Sequence, residues 1–444
     1  MDLKKVRYAL LTLFSAVMVL FAFSWLHAAG SGLAGSHDSQ PGSCLSDIPA
    51  IYQLFGWSDD WDDDWEEDWD TDWDNNEIIK KTRHMVRYNR VEGLFAGAEF
   101  SRDYWRMNKP EKPFLFGHLG YSLSAKEFQY LVGFEKGFMS KSRLALGSEY
   151  HRIIDSPDKW FISDDENSAA AFLLKEDFQD YYLREGWSAY INQYITTELQ
   201  WTLGWESEQY HSVEKNTNWS LFGGKKKFRE NPAMSIGKCS GLSINIRFDS
   251  RNSIRETTRG WYVELDAMKA GGTYKGEYEF DHMVLDVRRY QPLGFGDGVD
   301  MRLRIGAAKG EVPWQHRFYL GGIGTLRGFR YKSSPDGYLS PGGNQMILGQ
   351  IEYRIGSQSF PDEVGLGVFD YFNLILFTDI GWVSESEDSN SMFKGFSELH
   401  HSKLKNDVGL ALASHSGHVR IEVARRTDRG YKPFTFYFRV FKTF

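Results

Sequence analysis

The sequence predicts an all-β fold, a transmembrane antiparallel β-barrel of about 16 strands over residues 85–444. Three observations lead to this prediction: apolar and polar residues alternate in successive segments, the polar positions are heavily charged, and the chain ends in an aromatic strand. A barrel strand faces lipid on one side and water on the other, so a mean hydropathy of −0.47 is compatible with a membrane protein. No apolar run of about 18 residues follows residue 27, which excludes a membrane-spanning helix there.

The alternation has a period of two, which is typical of strands with unlike faces. In residues 242–249, Leu, Ile, Ile and Phe at the even positions oppose Ser, Asn, Arg and Asp at the odd positions. About 15 such segments occur. A soluble β-sandwich is the alternative, because the pattern alone does not say which face is interior. The long polar stretches 154–176, 312–343 and 384–402 are predicted extracellular loops, and the Gly-rich link 293–298 is a predicted periplasmic turn.

The N-terminus has the layout of a secretory signal peptide, predicted over residues 1–29. A basic stretch at positions 4–7 precedes an apolar run from Tyr8 to Leu26, and the small residues Ala28 and Ala29 mark the cleavage site. The alternative is a retained inner-membrane anchor, because the apolar run is long for a signal.

A linker is predicted over residues 30–84, and it contains an acidic, Trp-rich segment at 57–77. This segment has a tryptophan every four residues from Trp57 to Trp73, 12 acidic residues, and no Lys or Arg. The spacing would place the tryptophans along one side of a helix, but the neighbouring acids repel each other. The segment is interpreted as a disordered acidic linker. The alternative is a periplasmic arm that contacts the membrane interface or a basic partner.

The C-terminus predicts the cellular location. Phe434, Phe436 and Phe438 alternate with polar residues and Tyr437, and the chain stops at Phe444. A final aromatic strand that ends in Phe is similar to the signal recognised by the outer-membrane assembly machinery, although Lys442 departs from the pattern. The sequence therefore predicts a protein of the bacterial outer membrane.

Three segments resemble the barrel of the BamA/TamA superfamily, also called bacterial surface antigens. The first, Gly321–Phe329, is similar to the Gly-Gly…[Val/Leu]-Arg-Gly-[Phe/Tyr] motif of the family's sixth extracellular loop, here with Arg327, Gly328 and Phe329. The second, 248–261, resembles the hairpin between the eighth and ninth strands. The third, 342–381, resembles the two strands after the sixth loop. Five strands are expected after Arg327, as in the family.

The resemblance implies that Arg327 folds into the lumen and meets carboxylates on the twelfth and thirteenth strands, which are Glu352 and Asp379 in this chain. Both fall on the polar register of their strands. The physical reason is sound, because a buried arginine needs a carboxylate, and its planar guanidinium suits a bidentate pair. The glycines allow the tight backbone path that such a loop requires.

The stretch Arg87–Phe95 resembles the first-strand region of these barrels, and closure is expected to pair this strand with the one that ends at Phe444. In the family this seam is the lateral gate through which substrate strands are thought to enter. Gly93 and Gly97 are expected to weaken the first strand. The space before the barrel, about 50–60 residues, offers no recognisable POTRA domain, the periplasmic domain type that precedes such barrels.

The predicted function is assembly or translocation of outer-membrane proteins, and the alternative is a passive pore or surface-antigen barrel. Catalysis is not expected, because His151, His282, His316 and His418 are scattered, with no nucleophile or acid at an informative spacing. No cofactor and no metal site are predicted. The expected partners are outer-membrane lipid and lipopolysaccharide, the outer-membrane assembly machinery, and unfolded protein substrates or a periplasmic partner. Nucleic acid is not expected.

Overall fold

The structure is a computed structural model that describes residues 82–444 with several gaps. The gaps are residues 101, 103–111, 139–143, 255, 295, 333–341, 357–371, 387–390, 415–418, 428–432 and 441–444. The predicted signal peptide, the acidic segment 57–77 and the terminal Phe444 lie outside the described residues, so those predictions stay untested.

The described residues form 16 strands in one sheet. They are β1 (Thr82–Asn89), β2 (Gly93–Phe100), β3 (Phe114–Ser122), β4 (Glu127–Phe138), β5 (Leu144–Asp155), β6 (Tyr182–Tyr194), β7 (Leu199–Ser212), β8 (Gly237–Asp249), β9 (Gly260–Ala270), β10 (Phe280–Gly294), β11 (Asp297–Gly310), β12 (Gln345–Ile355), β13 (Phe372–Ser384), β14 (Lys405–Ser414), β15 (Arg420–Arg426) and β16 (Thr435–Arg439). The strand number agrees with the prediction, and five strands follow Arg327.

Each strand pairs antiparallel with its neighbours in the chain, and the sheet order runs from β1 to β16 without a crossover. Such a meander needs only short-range connections between neighbouring strands. Among the described strand residues, no pairing joins β1 with β16, so the two edge strands flank a seam.

The two faces of the sheet differ as the alternation predicts. In β8, Leu242, Ile244 and Ile246 are exposed on the outer face, whereas Ser243 and Asn245 between them are buried. Exposed apolar side chains on one face and buried polar side chains on the other suit a wall between lipid and an inner polar space. The soluble sandwich is therefore wrong, because its charged face would be outside.

Successive strands alternate in direction, so the connections fall at two ends of the sheet. The predicted loops at 154–176, 312–343 and 384–402 follow β5, β11 and β13 and share one end, called here the loop end. The predicted turn at 293–298 joins β10 to β11 at the opposite end. The β8–β9 hairpin also lies at this opposite end, as the resemblance implies.

The β5–β6 connection contains a helix that the sequence analysis missed, α1 (Asp164–Leu174). Its N-cap is Ser163, whose hydroxyl accepts the backbone N–H of Glu166 at 3.2 Å, and acidic residues in the first turn favour the positive end of the helix dipole. The helix ends at Lys175, which adopts a left-handed conformation. Short 3-10 helices within the described residues are Gly272–Tyr274, Trp314–His316, Lys394–Glu398 and His401–Lys403. No helix of the described residues is long and apolar enough to span a membrane.

One prediction about the barrel start is wrong. The stretch Arg87–Phe95 is not a single strand but the first hairpin, because β1 ends at Asn89 and β2 begins at Gly93. Asn89 directs the turn, since its side-chain oxygen accepts two backbone N–H groups of the next residues at 2.8–3.0 Å. Gly93 has a φ of +64°, and a Cβ there would lie 2.1 Å from the Ser124 hydroxyl oxygen, so glycine serves the turn rather than weakening β1.

Candidate functional site: the loop arginine and the seam

The β11–β12 connection folds into a tight path that carries the Arg-Gly-Phe motif. Gly321, Gly322 and Gly324 all have positive φ values, 113°, 97° and 73°, which other residues rarely adopt. The backbone N–H of Gly322 donates to the carbonyl of Leu326 at 3.0 Å and closes the turn. This path brings the next residue, Arg327, into a fully buried position.

Arg327 contacts both carboxylates that the resemblance implies. Its Nε and Nη2 donate to the two oxygens of Asp379 at 2.8 and 2.7 Å, and its Nη1 donates to Glu352 at 2.5 Å. The guanidinium also lies 3.5 Å from the centre of the Phe377 ring. The bidentate pair and the aromatic face use the two properties that distinguish arginine from lysine. The structure thus brings the three predicted residues together, and their functional role stays a prediction.

The network is larger than the sequence analysis expected. Glu422 on β15 lies with Oε1 3.3 Å from Nη1 of Arg327. Arg420, also on β15, donates to Glu352 at 3.0 Å and is 2.8 Å from Glu422. The signal that could have found both residues is their place on the polar register of a strand whose other face is Val, Ile and Val.

The buried carboxylates stabilise the charged form of the loop arginine. Burial by itself lowers the pKa of the Arg327 guanidinium, but Asp379, Glu352 and Glu422 outweigh this effect and raise the pKa well above its ordinary value. The cation is therefore permanent, and it links strands β12, β13 and β15 to the loop.

Gly328 and Phe329 fix the loop against the wall. The N–H of Gly328 donates to Asp407 on β14 at 2.9 Å, and a Cβ on Gly328 would lie 2.6 Å from the Cβ of Asp407. Only glycine allows this approach without a shift of the backbone. Phe329 is buried, and the guanidinium of Arg426 lies 4.0 Å from its ring centre.

The loop also holds the last strand. On the inner face of β16, Thr435 donates to the carbonyl of Arg327 at 2.6 Å, and the hydroxyl of Tyr437 donates to the carbonyl of Phe329 at 3.2 Å. The predicted C-terminal signal residues Phe434, Phe436 and Phe438 are exposed, on the opposite register, where a barrel wall meets lipid.

Helix α1 contacts both strands that flank the seam. The backbone N–H of Tyr88 on β1 donates to the Ser168 hydroxyl at 3.2 Å. On the other side, Arg439 of β16 donates to both oxygens of Glu166, at 3.1 and 2.8 Å, and the N–H of Val440 donates to the same carboxylate at 3.2 Å. Ser168 and Glu166, about half a helical turn apart, therefore accept backbone N–H groups from the β1 side and the β16 side of the seam. Neither the helix nor this bridge is predicted from the sequence.

A cluster of charges at the loop end, called here the mouth cluster, joins four connections. Asp180 of the β5–β6 connection accepts Arg90 of the β1–β2 turn at 3.0 Å, Lys332 of the β11–β12 loop at 2.6 Å, and Arg229 of the β7–β8 loop. Burial by itself raises the pKa of the Asp180 carboxyl, but these cations outweigh it and lower the pKa below its ordinary value. Asp177 accepts the backbone N–H of Arg90 at 3.0 Å.

The histidines considered for catalysis lie apart from this network. His151 is buried on β5 with Nε2 3.0 Å from Glu208, and His282 stacks on Phe318. His316 lies 5.6 Å from His282 between ring centres, and His418 is outside the described residues. Within the described ranges, no group of three or more His, Cys, Asp or Glu side chains is arranged to hold a metal ion.

Comparisons with known proteins agree with this geometry. Residues 156–444 match the Omp85 superfamily domain. The outer membrane protein assembly factor BamA of Nitratidesulfovibrio vulgaris is 26% identical over 198 residues, which are 42% of this chain and 23% of that protein. The aligned part thus spans about a quarter of the relative's length.

One solved structure shows the same fold. The crystal structure of BamA from Haemophilus ducreyi lacking POTRA domains 1–3 superposes with a TM-score of 0.53 at 15% identity, over 80% of this chain and 69% of that one. CdiB from Acinetobacter baumannii is a weaker match, with a TM-score of 0.39 and 11% identity over 80% of this chain and 58% of that one. The family prediction is confirmed: this chain belongs to the Omp85 superfamily, and its sheet is the wall of an outer-membrane β-barrel.

Proposed function

We propose that this barrel helps other proteins to insert into or cross the outer membrane, and that the seam between β1 and β16 is the site where it acts. Membership of the Omp85 superfamily supports the proposal, and so does the likeness to a protein named as an outer-membrane assembly factor. The observation that carries it is the bridge through α1, in which Ser168 and Glu166 accept backbone N–H groups of the two edge strands.

Such a bridge is replaceable. Unpaired strand edges offer N–H and C=O groups to any incoming strand, and in lipid these groups must be satisfied. A strand of a substrate protein provides the same kind of acceptors in regular order, so it can add to β1 as α1 withdraws. A sheet with continuous main-chain pairing at the seam would have to break that pairing first.

The partners follow from this proposal. The substrate is an unfolded protein segment with β-strand propensity, and the barrel itself enters the membrane through the outer-membrane assembly machinery. The acidic segment 57–77 would be an arm for a basic or periplasmic partner.

The passive pore is the weaker alternative. At the loop end, Phe161 and Ile162 of the β5–β6 connection pack with Ile323 of the β11–β12 loop as buried side chains. Lys332 adds ion pairs of 2.7 Å to Asp158 and 2.6 Å to Asp180 between the same two connections. These contacts oppose free passage, so we expect low conductance in planar bilayers, with a rise after deletion of residues 312–343.

The test locks the seam reversibly. The chain has two cysteines, Cys44 and the buried Cys239. In a Cys44→Ser background, Glu166→Cys and Arg439→Cys replace a pair that is 2.8 Å apart, and a short reducible bis-thiosulfonate reagent joins the two thiols, which holds α1 on β16 so that the helix cannot withdraw. The cells lack the wild-type copy. We expect the folded amounts of other outer-membrane barrels or secreted proteins to fall on cross-linking and to recover after reduction.

The matched control joins Arg317→Cys and Glu385→Cys with the same reagent. This exposed pair, 3.2 Å apart, connects two loops at the same end away from the seam, so its cross-link should leave assembly unchanged. Depletion of the whole protein that leaves every other barrel and secreted protein at its normal level contradicts the proposal.

A further inference from the structure

An apolar surface lies exposed at the loop end, formed by the C-terminal half of α1 and by the β7–β8 loop. Its members, called here the rim patch, are between 37% and 70% exposed. They are Phe172, Leu173, Leu174, Trp219, Leu221 and Phe222. Six exposed large apolar side chains on two adjacent connections indicate a contact surface rather than chance exposure.

The rim patch is one continuous surface. The backbone N–H of Leu221 donates to the carbonyl of Phe172 at 2.8 Å, and that of Phe222 donates to the carbonyl of Leu173 at 2.9 Å. The rings of Phe172 and Trp219 are 5.3 Å apart between centroids, in an edge-to-face arrangement. These contacts fix the β7–β8 loop on the helix, so the apolar side chains are presented together.

Tyr88 on β1 shows where the rim patch lies relative to the faces of the barrel wall. Val86 is 67% exposed on the outer face of this strand, and Tyr88, two residues on, points to the same face. Arg87 between them points inward and pairs with Glu92 at 2.8 Å. The Tyr88 ring contacts the rim patch, with its centroid 5.6 Å from that of Phe172. The rim patch therefore continues the lipid-facing surface of the barrel at its loop end.

Positive charge lies next to the apolar side chains. Lys225, Lys226 and Lys227 are all exposed, and they follow Phe222 after two glycines. Lys226 is also paired with Glu176. The whole segment 213–236 has five Lys and Arg residues against two Glu residues, a surplus that favours an anionic partner.

We propose that the rim patch is a binding surface for an anionic lipid leaflet. The aromatic and aliphatic side chains enter the boundary between headgroups and acyl chains, and the lysines pair with headgroup phosphates. Aromatic side chains with a basic flank are the composition that interfacial segments use. The inference rests on the outer-membrane barrel and not on the proposed assembly function. Since α1 also bridges the seam, lipid that holds the rim patch holds the bridge in place.

The experiment places an environment-sensitive thiol probe on Phe222→Cys in a Cys44→Ser background, where the native Cys239 is buried. The matched control carries the probe on Phe393→Cys, an exposed aromatic position in the β13–β14 loop at the same end. Both proteins are reconstituted into vesicles of phosphatidylcholine with phosphatidylglycerol or purified lipopolysaccharide. We expect blue-shifted emission and protection from aqueous iodide at position 222, and free quenching at position 393.

The contribution of the lysine charges is tested by titration with an anionic lipid. Detergent-solubilised protein with the probe at position 222 is titrated with phosphatidylglycerol in mixed micelles, with and without Lys225→Gln, Lys226→Gln and Lys227→Gln. Each lysine near a charged lipid surface is worth about a fivefold change in affinity, so the triple variant should need up to about a hundredfold more lipid for half of the emission shift.

Two results would overturn the inference. One is iodide quenching at position 222 equal to that at position 393 in every vesicle. The other is protection that depends on protein concentration and not on lipid charge, which identifies a second copy of this chain as the occupant.

Discussion

The wall around Arg327 and the seam around α1 use opposite ways of joining strands. At the loop arginine, β12 and β13 are paired along 11 residues, and a buried cation adds carboxylates from three strands. At the seam, the described parts of β1 and β16 are joined through Glu166 and Ser168 of a loop helix. One junction uses main-chain ladders, whereas the other uses side chains, which on the proposed function a substrate strand replaces.

On the proposed function, this difference lets the barrel be rigid and still have a place to open. Lipid forbids unsatisfied edges, so a seam must be covered at all times. Here two side chains of a loop helix, Glu166 and Ser168, accept N–H groups of the two edges, so few contacts hold the edges together. The buried network of Arg327 joins β12, β13 and β15, the part of the wall that leads to β16.

The largest expected effect is at the arginine. Arg327→Ala leaves Asp379, Glu352 and Glu422 buried without their shared cation, and the loss of one partner from a buried ion pair costs about 3–5 kcal/mol. The folded, compact band in unheated detergent gels should be lost at a clearly lower temperature. Arg327→Lys should recover only part of the difference, because lysine cannot form the bidentate pair. A melting temperature equal to that of the wild type would show that the network does not stabilise the wall.

Glu166→Gln comes next, since it keeps the shape of the bridge and removes its charge. Arg439 then loses a charge-assisted pair, and such hydrogen bonds contribute about 1.5–3 kcal/mol. Hydrogen exchange should become faster in β1 and β16 and stay unchanged in β12 and β13. Equal acceleration in both regions would contradict the separation of the two junctions.

Ser168→Ala tests the contact of α1 with β1, which consists of one hydrogen bond between a side chain and the backbone. It removes the acceptor of the Tyr88 N–H, and a single hydrogen bond of this kind contributes about 1 kcal/mol. Exchange of the Tyr88 amide should accelerate with little change at β16. If β16 responds as strongly as β1, the helix moves as a unit and the two contacts are not independent.

The smallest effect is expected for Arg317→Ala. Its pair with Glu385, 3.2 Å apart, is exposed, and exposed pairs contribute about 0–1 kcal/mol. Neither the melting temperature nor the exchange of either junction should change measurably. A large fall in the melting temperature of Arg317→Ala would mean that loop contacts at this end stabilise the barrel generally. The Arg327 network would then contribute no more than other contacts there.

Much of the barrel could be predicted because strand alternation is a local signal. The faces of β8 and the positions of Glu352 and Asp379 on the polar register follow from a period of two. The hairpin at Asn89 was missed, although an Asn that directs a turn is also local. Helix α1 had a local signal as well, since Ser163 and Glu166 form a capping pair before an alanine run.

The bridge itself could not be predicted in this way. Glu166 and Arg439 are separated by 273 positions, and their contact exists only after the sheet has brought its first and last strands to the same place. The charge network around Arg327 could be predicted in part. A family motif indicates the loop and two acids, whereas Arg420 and Glu422 join the network only through the three-dimensional arrangement of β15.

The mouth cluster adds a thermodynamic consequence. Asp177 receives Arg90 and also the amide of Asn167 in α1 at 3.0 Å, and Asp180 close by receives cations from three other connections. On the proposed function, a molecule that competes for one of these cations would change the free energy of moving the helix. By linkage, displacement of the helix by a substrate strand would then change the affinity for that molecule by the same factor.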